Sequence, residues 1–450
     1  MQKNESTFTK TQLTPIQKLF LFSLFCGLVK PFWLISYFLP PAGISKVIPA
    51  GLVIIFLLFL IRNSSIVRIN RPILLYCGVT FLSIVFAYNT GMSRRFFLPI
   101  IFLAITVTTA LTYFRNYAQI QKIFATFILA SIILTAFGII GSGRIIWHSV
   151  LDNQDAFGPF MCIVFGMSFF LKDIKGSSFI RTYSKILLVA SSCGLILSFA
   201  RGAFLSFLLL VVLILLQSRR KFRFLFLALF GAILFIIVAN TFFPDGAFWK
   251  EMGTIFSKDT ETGTGRDRTL LWGCAWEIFK DHPVLGVGPR NFGLILPKYL
   301  TEEFYRGYHA YGRVTHNIFF QLLSEGGLLT IIAFGLLLKT FFSLRSSVDH
   351  LSYDISDISN PEIFKSADPN NLPTSVQADN LKRFSQALYA GMIAYLANGF
   401  FYDLFYTGWF WFLFYTNMTI YYLTKDVQSE LSYILKDEKT SLHPVRSQTF

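Results

Sequence analysis

The sequence predicts an all-α polytopic membrane protein of about 12 transmembrane helices with one large folded external loop. Three observations carry this. Of 450 residues, 54% are hydrophobic and 14% charged, and no water-soluble core buries apolar residues at that density over so many long runs. The runs lack the alternation of a membrane barrel, and backbone polar groups in hydrocarbon must pair within their own segment, so the spans are helices. The net charge of +15 comes from Lys and Arg that stand mainly in short loops between the runs, which is a topology signal rather than a nucleic-acid surface.

A span takes roughly 20 apolar residues. Runs of that kind lie near 18–39, 46–61, 72–88, 96–112, 123–141, 157–171, 184–200, 202–217 and 222–241, then near 317–343, 385–402 and 405–424. The first has a polar start and no small-residue cleavage site, and is read as a retained span interrupted at Lys30-Pro31. Twelve spans put both termini on one side. The short loops with Arg62, Arg68 and Arg71, with Lys172, Lys175, Arg181 and Lys185, and with Arg219, Arg220, Lys221 and Arg223 share that side, which positive charge assigns to the cytoplasm. The alternate loop 141–156, one Arg against Asp152 and Asp155, agrees; Arg94 and Arg95 run against the rule.

The layout divides into residues 1–240 with nine spans, an external loop 241–316, residues 317–424 with three spans and a cytoplasmic linker 343–382, and a cytoplasmic tail 425–450. The linker is rich in Ser, Asp, Asn and Pro and reads as flexible. The loop carries Trp249, Trp272, Trp276 and the helix-like RTLLWGCAWEIFK, so it is expected to fold against the bundle. Cys26, Cys77, Cys162 and Cys193 fall in apolar runs and Cys274 alone in the loop, which leaves no intraloop disulfide.

Two polar residues at junctions stand out. Arg201 interrupts an apolar stretch, Ile186 to Leu216, that is too long for one span and barely enough for two, so the Arg201-Gly202 turn belongs at or just below the outer interface. An Arg there faces a polar cavity or bound anion, or it snorkels to headgroups; both readings stay open. His316, in VTHNIFFQLLSEGGLL, is the last polar residue of the loop before a long apolar helix that begins at Asn317. Its ordinary pKa of about 6.5 suits a general base, while a His at a helix start also serves as a cap or interface residue. Glu325 is half a turn out of phase with His316 and is expected to hydrogen-bond another helix beside Gly326-Gly327. Metal is poorly supported, because His282, His309 and His316 are not spaced as a ligand set and the loop has no Asp-x-Asp pair.

The segments SFARGAFLSF, RTLLWGCAWEIFKDHPVLGVGPRNF and THNIFFQLLSEGGLL resemble parts of the O-antigen ligase and O-antigen polymerase superfamily, over roughly Ser198 to Leu329. HPxxGVG followed by HN at the next helix start is a fairly specific combination, and the layout with one large loop before a late span is similar. The resemblance implies a bacterial inner-membrane, inverting glycosyltransferase that takes a glycan from undecaprenyl diphosphate at its periplasmic loop, with no nucleotide, metal or other cofactor. It implies His316, Arg201 and Arg268 as catalytic residues. Arg268 holds the register if Trp272 and His282-Pro283 anchor it, and Arg266, in GTGR, is the alternative. Arg266, Arg290, Arg313 and Asn317 are candidate substrate contacts. The leaving group is good, so two tasks remain: stabilising the departing diphosphate, for which Arg201 and Arg268 are suited, and aiming an acceptor hydroxyl, for which His316 is. The implied partners are the undecaprenyl diphosphate-linked glycan, a lipid A-core acceptor and membrane lipids, without nucleic acid; a monomer is expected.

A polymerase, whose acceptor is a second lipid-linked repeat unit, is the alternative within the same superfamily, and the sequence does not separate the two. A flippase or transporter predicts charges near the middle of several spans and repeat symmetry between halves, whereas the informative polar groups here cluster at one face and no internal repeat is visible. A non-catalytic scaffold gives no reason for Arg201 and His316 at two junctions.

Overall fold

The computed structural model describes residues 12–30, 54–148, 150–217, 221–253, 264–300, 313–357, 375–403 and 408–441, and every regular element among them is helical. The main helices are α1 (Pro15–Val29), α2 (Arg71–Val85), α3 (Thr90–Ser93), α4 (Phe97–Tyr113), α5 (Tyr117–Ile140), α6 (Gln154–Leu171), α7 (Ser178–Leu197) and α8 (Arg201–Gln217). They continue with α9 (Lys221–Phe242), α10 (Ala247–Gly253), α11 (Thr264–Asp281), α12 (Phe292–Ile295), α13 (Ile318–Asp357), α14 (Ser375–Gly399) and α15 (Gly408–Ser441). By length and composition, five helices among the described residues can cross a membrane, or six if the bent pair 229–242 and 247–253 is one span. The chain is a membrane protein. α1, α2 and α8 are apolar but shorter than a full span.

Local signals set the boundaries. Asn70, Asn89, Asn116, Asn153 and Ser177 each cap a helix by accepting a backbone N–H, which satisfies a group that hydrocarbon would leave unpaired. α1 stops where the sequence breaks at Lys30-Pro31, with Lys30 left-handed at φ 51°. Helix reaches into both ends of the stretch expected as a linker. α13 runs on to Asp357 and α14 begins at Ser375, because Phe341, Leu344 and Val348 continue one apolar stripe into the core; residues 358–374 lie outside the described residues.

α6 is the central helix, buried along 72% of its span, and small residues let its neighbours approach. Gly158 faces Ser198, Ala200 and Ala203, and Gly166 faces Leu210 and Ala390. Stacked rings fill the rest, Phe124 on Phe384 at 4.1 Å and Phe127 on Phe412 at 4.8 Å. All five cysteines are free.

The two ends of the bundle differ. One end carries the ion pairs Arg68–Asp426, Lys175–Asp379 and Arg383–Asp173. The other, called here the loop end, gathers the turns α5–α6, α7–α8 and α14–α15 with the segments of 241–316. Those segments fold against the bundle. α13 is broken at Gly327 (φ 63°), and residues 283–288 fill the gap with a reciprocal set of backbone bonds. Val287 and Gly288 donate to the carbonyls of Ser324 and Glu325 at 3.0 and 2.9 Å, and Leu328 and Leu329 donate to those of Pro283 and Val284 at 2.8 and 3.2 Å. A Cβ at Gly286 would overlap the Glu325 backbone, so the close approach requires glycine.

Candidate functional site

α7 ends at Leu197 and α8 starts at Arg201, so the connection is as short as the apolar run demands, with Phe199 left-handed at φ 50°. Arg201 thereby stands at a helix N-terminus, where the dipole disfavours a cation unless an anion joins it. Glu251, on α10, supplies one: Arg201 Nε lies 3.3 Å from Glu251 Oε1. The backbone beside Arg201 is packed on the α14–α15 turn, since a Cβ at Gly202 would overlap Phe401.

Arg268 comes to the same place from α11. Burial lowers its guanidinium below its usual pKa, the Asp155 carboxylate raises it, and the Arg201 charge lowers it. The two guanidinium groups are thus near enough to feel each other's charge, with Asp155 beside Arg268 and Glu251 beside Arg201 as counter-charges. Arg266 lies on α11 two residues earlier, and its side chain falls outside the described residues.

Trp272, one turn beyond Arg268, ties α11 to the His316 junction. Its Nε1 donates to the Thr315 carbonyl at 3.0 Å, and its ring stacks on Phe320 with centroids 5.6 Å apart and planes at 11°. His316 itself is left-handed at φ 52°, a conformation that costs a non-glycine residue about 1 kcal/mol or more and persists where surroundings enforce it. The enforcement is visible. Thr315 N and Oγ1 both donate to Gln321 Oε1 at 3.0 Å, Thr315 Oγ1 also lies 2.7 Å from the Asn317 carbonyl, and Asn317 Oδ1 accepts from Phe319 and Phe320 at 2.9 and 3.1 Å. Asn317 Nδ2 donates to the Phe400 carbonyl at 3.2 Å. Asn317 is thus a cap and a tether to the α14–α15 turn.

That turn brings Tyr402 beside the imidazole, with ring centroids 6.3 Å apart. Asn153, the α6 cap, donates from Nδ2 to the Tyr402 hydroxyl at 3.2 Å. Burial raises the Tyr402 phenol, the Asn153 bond lowers it, and the carboxylates of Asp155, Asp403 and Asp152 raise it, so it stays protonated as a donor. Arg201, Arg268 and Asp155 therefore adjoin His316 and Tyr402 through α6, α11 and the α14–α15 turn. Sequence reasoning passed over Asn153, Asp155, Glu251 and Tyr402. Asn153 had a detectable signal, a capping residue two before an acid at a helix start.

The remaining candidates lie elsewhere at the loop end or serve the scaffold. Arg290 is exposed, left-handed at φ 62°, with its guanidinium 5.2 Å over the Phe96 ring. Arg313 is half-buried three residues before His316. Glu325 is buried, and its Oε1 accepts from the Phe292 backbone at the start of α12 at 3.0 Å. Its carbonyl accepts from Ser83, two residues before the end of α2, which places Glu325 near the loop end of the bundle rather than deep within it. His148 pins the α5–α6 turn to the end of α1. Its Nδ1 accepts from the backbone of Val150 and Leu151 at 3.2 and 3.0 Å, and Nε2 donates to the Leu28 carbonyl at 3.0 Å. Burial lowers its pKa to about 4, the Leu28 bond raises it, and Lys30 lowers it.

Residues 186–335 match the family model described as O-antigen ligase, which supports placing the chain in the O-antigen ligase-like superfamily. The match spans about a third of the chain and includes Arg201, Arg266, Arg268, Arg290, Arg313, His316 and Asn317. No curated protein matches the chain.

Proposed function

From the O-antigen ligase match over residues 186–335 and the site it contains, we propose that the chain is an inverting glycosyltransferase. It transfers O-antigen polysaccharide from undecaprenyl diphosphate to a sugar hydroxyl of a lipid A core at the periplasmic face of the bacterial inner membrane. The observation that carries the reading is the convergence of Arg201 and Arg268, from different helices, beside a His316 turn that Trp272 ties to the Arg268 helix.

Arg201 and Arg268 hold the diphosphate and take up the charge that grows on its bridging oxygen as the anomeric C–O bond breaks. The acceptor hydroxyl attacks the opposite face of the anomeric carbon, which inverts it. His316 orients that hydroxyl and accepts its proton, and Tyr402, held by Asn153, donates a hydrogen bond beside it. Cleavage of the bond between the anomeric carbon and the diphosphate oxygen supplies the driving force, and the polyprenyl diphosphate leaves intact. Arg266, Arg290 and Arg313 contact substrate phosphates or sugars around this centre, and Asn317 contributes by fixing the His316 turn. The loop end is periplasmic and the ends of the chain are cytoplasmic, supported by the short basic loops that share the opposite end.

A strain lacking the chain tests the reading. It accumulates long polymer on the lipid carrier if the chain is the ligase, and single lipid-linked repeat units if it is the polymerase. A strain with normal surface polysaccharide and no accumulated lipid-linked glycan would refute both.

A further inference from the structure

The chemistry proposed above makes no use of Glu325, an acid in α13 just before the break at Gly327. It is 3% exposed, and a carboxylate so buried is costly unless it is hydrogen-bonded. Its Oε1 accepts from the Phe292 backbone N–H at 3.0 Å, where α12 begins, and so satisfies a donor that the helix start cannot pair internally. The Glu325 backbone is fixed as well. Its carbonyl accepts from Gly288 at 2.9 Å, and the Ser83 hydroxyl, on α2, lies 3.1 Å from that carbonyl and 2.8 Å from the carbonyl of Leu285. The side chain therefore reaches Phe292 from a point that the wedge and α2 hold in place.

Beyond that bond the chain packs on the arginine helix. Phe292, Ile295 and Leu296 form one buried cluster with Leu271, Cys274 and Ile278 of α11. Just past α12, the Tyr299 carbonyl lies 3.5 Å from Cys274 Sγ. Leu271 follows Arg268 by less than one turn, so a shift of this face carries the guanidinium with it. α11 is thus tied at two points. Trp272 joins it to the His316 turn, and the α12 cluster joins it, through Glu325, to the broken part of α13. One tie leaves a helix free to pivot, and two at different points set its orientation.

We propose that Glu325 is a positioning residue for Arg268: by holding the start of α12 against α13 it sets the place of α11, and so aims the guanidinium at the diphosphate oxygens. This rests on the role proposed above for Arg268. Glu325 touches neither substrate nor the reacting atoms in this account. Its effect falls on the departing charge and not on the acceptor, because the His316 turn is held separately by Thr315, Asn317 and Gln321.

The test is a double-mutant cycle on the full chain in nanodiscs, with an undecaprenyl diphosphate-linked glycan as donor and a lipid A-core acceptor. Glu325→Ala lowers kcat at least about tenfold and leaves the acceptor KM unchanged. In an Arg268→Ala background the same change costs less than about threefold, since nothing remains for it to position. Glu325→Gln, which keeps an acceptor oxygen at the same reach, transfers within about fivefold of wild type. Backbone amide exchange over residues 264–281, measured without substrate, rises in Glu325→Ala and not in Glu325→Gln. Equal losses in both backgrounds, or a Glu325→Gln protein as inactive as Glu325→Ala, overturns the proposal. If Glu325→Ala does not fold, Glu325→Asp, too short for the bond to Phe292, takes its place in the cycle; failure of both to fold leaves a structural role only and also overturns it. The two readings separate. A wild type that transfers no glycan sinks the proposed function, and amide exchange still tests the tie between Glu325 and α11. Transfer intact in wild type, with additive losses in the cycle, sinks this proposal alone.

Discussion

Trp272→Phe isolates the tie between the arginine helix and the histidine turn. The substitution keeps a ring to stack on Phe320 and removes the Nε1–H that donates to Thr315 at 3.0 Å. Thr315 is fully buried, so its carbonyl is left without that donor, a loss of about 1–3 kcal/mol. If the loss appears as a displaced His316 in the transition state, it corresponds to a drop of roughly 5- to 150-fold in transfer rate. Trp272→Ala adds loss of the stack and a cavity, which brings the destabilisation to about 3–5 kcal/mol and lowers the unfolding temperature as well. The assay is glycan transfer by purified protein, with thermal unfolding of the same samples. A Trp272→Phe protein that transfers at the wild-type rate would show that the tie between α11 and the His316 turn does not set the catalytic geometry.

Arg201→Ala and Arg268→Ala each lose a charge-assisted phosphate contact on the order of 2 kcal/mol, about 30-fold in rate, and Lys restores only part because it cannot bind two oxygens at once; an active Arg268→Ala with an inactive Arg266→Ala shifts the register by two residues. His148 makes stability pH-dependent: its folded pKa, about 4, lies below the unfolded value near 6.5, so its contribution is complete above pH 6.5 and is lost as pH falls toward 4. By pH 5 the loss is about 2 kcal/mol, and His148→Gln flattens that fall in an unfolding series, whereas an unchanged slope in the variant assigns it to other groups. Cysteine labelling of intact cells reaches a probe at position 258 and spares one at 368; labelling at 368 overturns the orientation.

The apolar runs were readable because hydropathy over 15–25 residues is a large signal, and each of the twelve falls wholly or partly in a described helix. Lys30-Pro31 and Arg201-Gly202 were readable as breaks for the same reason, an interruption of an otherwise uniform pattern. The extension of α13 past Ser343 was hidden because a stripe of Phe341, Leu344 and Val348 is sparse within a polar composition. The wedge of residues 283–288 into the broken α13 was equally hidden. It rests on backbone bonds and on positive φ at Gly286, Gly288 and Gly327, which no side-chain period encodes. At the site, Arg201 and His316 announced themselves by position. Asp155 and Tyr402 did not, since they lie 46 and 201 residues from Arg201 in the sequence and join the site only through the packing of α6 and of the α14–α15 turn.

The central claim is that the arginines hold the lipid diphosphate while His316 activates the acceptor, and purified His316→Ala tests it most directly. The measurement pairs donor binding with single-turnover transfer, using an undecaprenyl diphosphate-linked glycan and a lipid A-core acceptor, with and without EDTA. The account predicts donor binding within about twofold of wild type, transfer reduced by at least the 10²–10⁴-fold expected of a lost general base, and no effect of EDTA on wild type. Near-normal transfer by His316→Ala, or wild-type activity abolished by EDTA and restored by Mg²⁺, would contradict it.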